Sequence, residues 1–184
     1  MEKVFAAHGL AIFVVDELPT HGGSLRIYAQ RIATGRHPIS WRVVELRKRE
    51  VDAGFADLRT YTAFGERALQ VKLKLLDFLT SAKREGKRVV GYGAPAKGNT
   101  LLNYCGVGRE LVEYTVDRNP HKQGRYLPGT HIPIFEPERI EATRPDYILI
   151  LPWNLQAEII NQLSHVRDWG AKFVVPIPEP HILG

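Results

Sequence analysis

The feature that most constrains the fold is a regular alternation of strand and helix patterns after Gly86. Four apolar runs predict strands, at residues 88–92, 111–116, 147–151 and 172–175, and residues 132–134 predict at most a short one. Three helical segments separate them, at residues 98–104, 137–143 and 154–169. Such alternation over about 90 residues favours a parallel sheet covered on both faces. We therefore expect residues 86–184 to form an α/β, Rossmann-like domain with a mostly parallel sheet and helices on both faces.

The segment before Gly86 has a different organisation. Residues 11–15 and 24–32 predict two strands joined by a glycine-rich turn, and hence an antiparallel hairpin. Because two strands alone are marginally stable, we expect residues 1–32 to be the closing strands of an upstream domain. Residues 33–85 predict a linker followed by helices. In the last of these helices, four leucines are spaced as an apolar stripe on one face: Leu69, Leu73, Leu76 and Leu79.

Composition places the chain among ordinary globular proteins. Of its 184 residues, 44% are apolar and 24% charged, so bulk disorder is not expected. Cys105 is the single cysteine, which excludes an intramolecular disulfide and a cysteine-rich zinc site. The sequence contains no bilayer-spanning apolar run and no signal-peptide pattern at Met1. We therefore expect a cytoplasmic protein without membrane contact.

Positive charge is concentrated in one part of the chain. The formal net charge is +5, and residues 83–125 carry nine basic and four acidic side chains. Because fixed positive charge concentrates anions, this segment favours a small ligand that carries phosphate. There is neither a Lys/Arg tract nor an RNA-type aromatic motif, so a nucleic-acid partner is not expected.

A loop of small residues joins the first predicted strand of this domain to its first helix. Small residues let the backbone approach a ligand closely, a helix N-terminus suits phosphate, and Lys97 adds a cation. The glycine spacing G-x-G-x-x-x-x-G is two residues longer than the dinucleotide fingerprint, so a tight turn without ligand remains an alternative. The predicted ligand-binding residues in this segment are Gly91, Gly93, Ala94, Pro95, Ala96, Lys97, Gly98 and Asn99.

Other candidate binding residues follow later strands. Asp117 ends the next predicted strand, where an acidic residue can accept a hydrogen bond from a ribose; a turn cap is the alternative. Lys122 lies a few residues further and offers a second cation. Trp153 and Asn154 follow a buried strand at the carboxyl edge, where ligands of open sheets bind. Trp153 could stack on a base or sugar, or fill the core.

The sequence gives little support for catalysis by this chain. No two histidines have the helical spacing of a metal pair, no G-x-S-x-G elbow is present, and no Tyr precedes a Lys by four residues. Cys105 is interpreted as a buried packing residue rather than a nucleophile. His21, in the turn of the N-terminal hairpin, is the candidate catalytic histidine, with a locally satisfied turn residue as the alternative.

Four ordered motifs resemble the C-terminal domain of S-adenosylmethionine-dependent sugar C-methyltransferases. They are residues 18–26 (LPTHGGSLR), 91–99 (GYGAPAKGN), 117–124 (DRNPHKQG) with 128–130 (PGT), and 151–154 (LPWN). The resemblance covers residues 15–184. It implies a Rossmann-like domain that follows a zinc-binding domain and a methyltransferase domain in the full-length enzymes.

The resemblance also implies a function. Such enzymes methylate a carbon beside the keto group of a deoxysugar attached to a nucleoside diphosphate, and this domain is expected to help hold the nucleotide sugar. The zinc cysteines, the methyl-donor loop and the Glu-His active-site motif would lie upstream of Met1. We therefore expect no metal or cofactor in this chain, an upstream methyltransferase domain as its partner, and no methyl transfer by the chain alone.

Two other functions remain open from the sequence. The glycine loop is compatible with an NAD(P)-binding oxidoreductase domain, although a catalytic pair and a substrate domain are missing. Alternatively, the domain binds no ligand and serves as a structural module that packs against the methyltransferase domain.

Overall fold

An antiparallel hairpin organises the first part of the chain. The computed structural model describes residues 1–184 apart from the side chain of His21, and its two compact units are Met1–Gly65 and Glu66–Gly184. The first unit begins with helix α1 (Glu2–Ala7), strands β1 (Leu10–Leu18) and β2 (Ser24–Arg31), and helix α2 (Trp41–Asp52). The two strands pair antiparallel from Leu10–Arg31 to Leu18–Ser24, which confirms the predicted hairpin.

The first unit has a small core. Helix α2 begins at a Ser40 cap, whose side-chain oxygen accepts a 3.3 Å hydrogen bond from the Arg42 amide. Ile12 and Val15 of the hairpin and Val43 of α2 are the buried hydrophobic residues of this unit. Because so few side chains are buried, the hairpin and α2 contribute little apolar burial of their own.

Helix α3 (Leu58–Arg84) begins in the first unit and continues into the second. Leu75, Leu79 and Ala82 are its buried residues, whereas Leu69 and Leu73 are 40% and 49% exposed. The predicted stripe is therefore wrong at Leu69 and Leu73. Leu75 and Leu79 are four residues apart and define a different buried face, because several sides of this helix carry apolar residues.

The second unit is built on a six-stranded sheet. Its remaining elements are β3 (Val89–Tyr92), α4 (Ala96–Cys105), β4 (Thr115–Val116), β5 (Ile134–Phe135), α5 (Arg139–Thr143), β6 (Tyr147–Ile150), α6 (Gln156–Gln162), β7 (Lys172–Val175) and β8 (His181–Leu183). The strand order is β5-β4-β3-β6-β7-β8, and every neighbouring pair is parallel except β7 with β8. The predicted α/β fold with a mostly parallel sheet is confirmed.

Side chains of the central strands alternate between two core clusters. In β6, Leu149 packs in the cluster that contains residues of α3 and α4. Ile148 and Ile150 pack in the cluster that contains residues of α5 and α6. The predicted coverage of both sheet faces by helices is therefore confirmed, and burial on both faces explains why these strands read as continuous apolar runs.

Three elements differ from the sequence prediction. The strand expected at 111–116 is limited to Thr115–Val116, because the amides of Leu111 and Val112 bond to the Gly108 carbonyl in a turn. The helix expected at 154–169 is α6 alone, flanked by 3-10 turns at Trp153–Leu155 and Ser164–Trp169. Strand β8 was not predicted. None of the described helices has the length and apolar character required to cross a membrane.

The arrangement places a crevice at the carboxyl edge of the sheet. Strands β3 and β6 are adjacent, and the helices that follow them, α4 and α6, pack in opposite core clusters. Connections that leave neighbouring parallel strands toward opposite faces open a crevice beyond their carboxyl ends, where open α/β sheets bind ligands.

Candidate functional site

The glycines of the β3–α4 loop are explained by close packing. Gly93 has φ +86°, and a Cβ there would lie 2.7 Å from the rigid Pro152 ring. A Cβ on Gly98 would lie 2.7 Å from Leu151 Cβ, and one on Gly91 would lie 2.7 Å from the Thr115 hydroxyl oxygen. Gly91 and Gly98 are both buried beneath the loop, Gly91 against Thr115 of β4 and Gly98 against Leu151.

Both backbone groups of Gly93 and of Ala94 have partners within the domain. The Gly93 amide donates to the Val116 carbonyl at 2.6 Å, and its carbonyl accepts from the Thr115 hydroxyl at 2.8 Å. The Ala94 amide donates to Asp117 Oδ2 at 2.7 Å, and its carbonyl accepts from Lys122 Nζ at 3.0 Å. The loop is therefore fixed by β4 and the residues after it, and its amides are not available to a phosphate.

The amides that remain available belong to the first turn of α4. Pro95 at the N-cap provides no side-chain cap, and the amides of Ala96, Lys97 and Gly98 have no acceptor among the described residues. Uncapped N–H groups at a helix N-terminus, together with the positive end of the helix dipole, favour an anion. This turn is the part of the predicted loop that fits a phosphate.

Asp117 is held at the end of β4 by several donors. Besides the Ala94 amide, it accepts from the Asn119 amide at 2.9 Å and from Lys122 Nζ at 3.0 Å. Burial acts to raise the pKa of this carboxyl, but the bonds from Asn119, Ala94 and Lys122 together lower the pKa below its ordinary value. Asp117 is therefore a carboxylate at neutral pH, and Lys122 is its counter-ion.

An open cavity of about 260 Å³ lies beside this loop. Five of the predicted binding residues line it: Gly93, Ala94, Pro95, Asp117 and Lys122. Seven lining residues were not predicted: Tyr92, Arg118, Pro152, Leu155, Glu158, Ile159 and Gln162. The signal that could have identified several of them is helical spacing, since residues 155, 158, 159 and 162 share one face of the segment after β6.

The other predicted residues form a separate cluster. Lys97 Nζ bonds to Asn154 Oδ1 and lies 4.6 Å from the centre of the Trp153 ring, so the ammonium is held by a cation–π contact as well. Trp153 is partly buried and packs against both core clusters, as the core-filling alternative predicts, whereas its stacking on a base or sugar stays a prediction. None of the three residues lines the cavity.

Asn99 and Pro128, which belong to two of the motifs, are joined through Asn103 of α4. Asn103 Nδ2 donates to the carbonyls of Asn99 and Pro128 at 2.9 Å each, which ties the 128–130 turn to the helix. Asn99 Oδ1 is buried and has no partner among the described residues. The side chain of His21 lies outside the described part of the structure, so its catalytic role stays a prediction.

The comparisons with known proteins identify the family. Residues 19–178 match the family described as "C-methyltransferase C-terminal domain". The chain belongs to this family. The resemblance predicted from the four motifs is thereby confirmed.

Among individual proteins, this C-methyltransferase C-terminal domain is similar to C-methyltransferase NovU of Streptomyces niveus. The two are 38% identical over 180 residues, which cover 98% of this chain and 43% of NovU. The chain thus spans less than half the length of this relative. A solved structure, UDP-D-quinovosamine 4-dehydrogenase from Vibrio fischeri, matches 48% of this chain and 76% of its own at 21% identity, with a TM-score of 0.37. That similarity is too low to carry an argument.

The described residues of the C-methyltransferase C-terminal domain include several groups that can bind a ligand. Within them, no group of three His, Cys, Asp or Glu side chains is placed to hold a metal ion. Burial raises the pKa of the Cys105 thiol, which disfavours the nucleophilic thiolate. The site provides a carboxylate and cations in the wall of a partly apolar cavity, and uncapped amides in the helical turn that follows the cavity residue Pro95.

Proposed function

We propose that this chain holds the nucleoside diphosphate part of a nucleotide-sugar substrate for a C-methyltransferase. The observation that carries the proposal is the uncapped first turn of α4, which lies at the carboxyl edge of the sheet and carries Lys97. A diphosphate would accept hydrogen bonds from the amides of this turn and would be attracted by the nearby ammonium group.

The charge around the turn supports the same conclusion. Arg118 is exposed, lines the cavity and has no hydrogen-bond or ion-pair partner among the described residues. Lys122 lies on the same side of the cavity, although it is already paired with Asp117. Unpaired positive charge in the cavity wall attracts an anionic ligand from solution.

Methyl transfer to carbon requires two further elements. The acceptor carbon must lose a proton to a positioned base, and the methyl donor must be held in line with it. We propose that an upstream methyltransferase domain supplies both, with S-adenosylmethionine as the donor and a deoxysugar ketone as the acceptor. We place the zinc that the resemblance implies in that upstream part as well.

We also propose that the hairpin β1–β2 completes the sheet of that methyltransferase domain. In the described structure β1 and β2 form a two-stranded sheet of their own, and α1 and α2 pack against β1. A two-stranded sheet gains its stability by joining further strands, and an unpaired strand edge is a template for such pairing. The whole enzyme would then act in the cytoplasm on a soluble nucleotide sugar.

Titration calorimetry of the full chain with dTDP and UDP tests the binding proposal. Lys97→Ala should weaken diphosphate binding by about 1–3 kcal/mol, as expected for a hydrogen bond to a charged group. Lys172→Ala removes an exposed lysine at the start of β7 and serves as the control, with unchanged affinity. Equal affinities for Lys97→Ala and the parent chain would place the diphosphate elsewhere.

A methyl-transfer assay tests whether catalysis requires the upstream methyltransferase domain. The chain alone, given S-adenosylmethionine and a nucleoside-diphosphate keto-sugar, should release no methylated product, whereas the same substrates with the whole enzyme should. Methylation by the 184 residues alone would contradict the proposal. A change in NADH fluorescence without any response to dTDP or UDP would instead favour an oxidoreductase domain. A folded chain that gives no heat with any nucleoside diphosphate would favour a structural module.

A further inference from the structure

We infer that an apolar groove in the first unit is the docking site for a helix of the upstream methyltransferase domain. This inference rests on the proposed function, which assigns that domain to the same enzyme, and it adds a second contact to the proposed pairing of strands. The groove has a volume of about 410 Å³ and is bounded by the start of α1, the hairpin, α2 and the residues that follow α2. We call it the hairpin groove.

The first unit exposes more apolar side chains than it buries. Among the described residues, Ile12, Val15 and Val43 are its buried hydrophobic residues, whereas thirteen of the nineteen large hydrophobic residues that are exposed lie in Met1–Gly65. Single exposed apolar residues are ordinary on a protein surface, but a groove that they line marks an interaction site. Four of the thirteen line the hairpin groove, which therefore has the character of an interface.

The groove is open because α2 packs chiefly against β1. Leu25 and Ile27 are two residues apart in β2, so their side chains point to the same face of the hairpin. Ile27 is paired with the buried Val15 of β1, and that face is the one that α2 covers. Leu25 lies further along β2 and is left exposed on the floor of the groove.

The end of α2 extends the same apolar surface. Val43, Leu46 and Val51 share one face of the helix by their spacing. Val43 is buried and Leu46 packs against the small core, whereas Val51 is 65% exposed and Phe55, just after the helix, is exposed as well. The apolar surface therefore continues past the residues that the first unit covers with its own side chains.

A helix fits this surface better than an extended segment. Whatever lies in an apolar groove must satisfy its backbone N–H and C=O groups, and a helix does so with its own hydrogen bonds. Apolar side chains one turn apart on such a helix would lie in the groove, as amphipathic helices do in other grooves of this kind.

The charges at the rim favour a protein segment. Glu2 is paired with Arg47 at 2.6 Å, and Lys3 and Glu50 have no ion-pair partner among the described residues. Because the rim carries both signs of charge in equal number, it does not attract a polyanion or an anionic membrane surface. Lys3 and Glu50 remain available to polar residues that flank the apolar face of a docked helix.

The size of the groove indicates that its occupant is tethered to this chain. A volume of about 410 Å³ takes a few side chains, whereas an interface between separate proteins involves about 20–30 residues on each side. A segment of the same polypeptide needs less contact, because the linkage gives it a high effective concentration. The match covers 43% of NovU, so proteins of this family have room for such a segment outside the matched part. The occupant is therefore the upstream domain rather than a second copy of this chain.

Hydroxyl-radical footprinting measures whether the groove is covered. Phe55 should be oxidised several-fold more slowly in the whole enzyme, in which the chain follows its methyltransferase domain, than in the chain alone, because a docked helix excludes solvent. Tyr126, an exposed aromatic residue of the second unit, is the control and should react equally in both proteins. Equal oxidation of Phe55 in the two proteins would overturn the inference.

Two matched variants in α2 provide an independent test. Val51→Glu places a charge in the groove, whereas Val44→Glu makes the same change on the same helix at an exposed position outside it. In the chain alone, both variants should keep the unfolding temperature of the parent, since both positions are exposed. In the whole enzyme, Val51→Glu should lower the unfolding temperature by about 5 °C or more because it buries an unpaired charge, and Val44→Glu should not.

The outcomes distinguish this inference from the proposed function. If Val51→Glu and Val44→Glu unfold alike in the whole enzyme, the groove is not the docking site. If oxidation of Phe55 in the chain alone slows as its concentration rises, a second copy occupies the groove and the inference is wrong. UDP binding by the chain alone does not involve the groove, so the diphosphate proposal stands in both cases. A chain that binds no UDP, although Phe55 is protected in the whole enzyme, would contradict the diphosphate proposal and support the docking site.

Discussion

The Ala94 amide donates a 2.7 Å hydrogen bond to Asp117 Oδ2, and this bond joins the loop after β3 to the end of β4. Lys122 completes the connection, because its ammonium donates both to the Ala94 carbonyl and to the same carboxylate oxygen. Asp117 thus stabilises the loop that precedes the α4 turn, in addition to any contact with a ligand.

Replacing Asp117 should lower stability in a pH-dependent way. Its pKa in the folded chain is below the ordinary value, so the carboxylate stabilises the fold above that value and loses this effect as pH falls through the folded pKa. Asp117→Asn should lower the free energy of unfolding by about 1–3 kcal/mol at pH 7. The difference from the parent should shrink below about pH 4.

Urea unfolding at a series of pH values measures this difference. Asp168→Asn, at an exposed position, is the control and should match the parent chain throughout. If Asp117→Asn lowers the free energy of unfolding equally at neutral and acid pH, the carboxylate charge is not what stabilises the loop.

Gly93→Ala should be more destabilising than an ordinary substitution at a glycine with positive φ. The conformation alone costs about 1–2 kcal/mol for a residue with a Cβ. Gly93 adds a contact of 2.7 Å with the Pro152 ring, and overpacking of this kind costs about 1–3 kcal/mol more. Gly124→Ala isolates the first effect, since Gly124 has φ +73° and no atom near the added methyl group. Thermal unfolding of the two variants compares them, and equal losses would refute the packing argument.

Two substitutions in α3 test whether Leu79, rather than Leu73, lies on the buried face. Leu79→Ala removes a fully buried side chain and should cost about 2–5 kcal/mol of unfolding free energy. Leu73→Ala, on the exposed side of the same helix, should stay within about 0.5 kcal/mol of the parent chain. Chemical denaturation provides both values, and a large loss for Leu73→Ala would mean that the original leucine stripe is the buried one.

Ionic strength should separate the charged part of the ligand from the rest. UDP affinity should fall as salt rises from about 50 mM to about 500 mM, because screening weakens the attraction between the phosphates and the exposed cations. Uridine, which has no phosphate, serves as the control ligand and should bind with little salt dependence. An affinity for UDP that salt does not change would contradict a diphosphate site at Lys97 and Arg118.

Local hydrophobic patterns in the sequence predicted the central strands of the sheet. Strands β3, β6 and β7 are buried on both faces, so their apolar runs stand out from the flanking residues. Strand β4 is harder to delimit, because Val112 is as buried as Val116 although it lies in a turn. Strand β8 includes the exposed residues His181 and Ile182 and pairs only at the sheet edge, so its pattern does not identify a strand.

Sequence motifs predict those cavity residues that directly follow a strand. They do not predict the residues that only tertiary packing brings to the cavity. Gly93 and Asp117 have recognisable positions after strands, and the structure brings both to the cavity. Gln162 is distant in sequence from both: helical spacing groups it with residues 155, 158 and 159, but only the packing of α6 brings this face to the cavity. The hydrogen bond from the Ala94 amide to Asp117 is likewise a tertiary contact, which the spacing of residues in the sequence does not predict.

The connection between β4 and β5 contains no helix within the described backbone, and it supplies Asp117, Arg118 and Lys122 to the cavity. Polar contacts of Asp117 and Lys122 hold the first part of this connection, whereas Leu127 and Ile132 anchor the rest of it in the core cluster. Substitutions at Arg118 therefore change this wall of the cavity without altering Leu127, Ile132 or the polar contacts of Asp117.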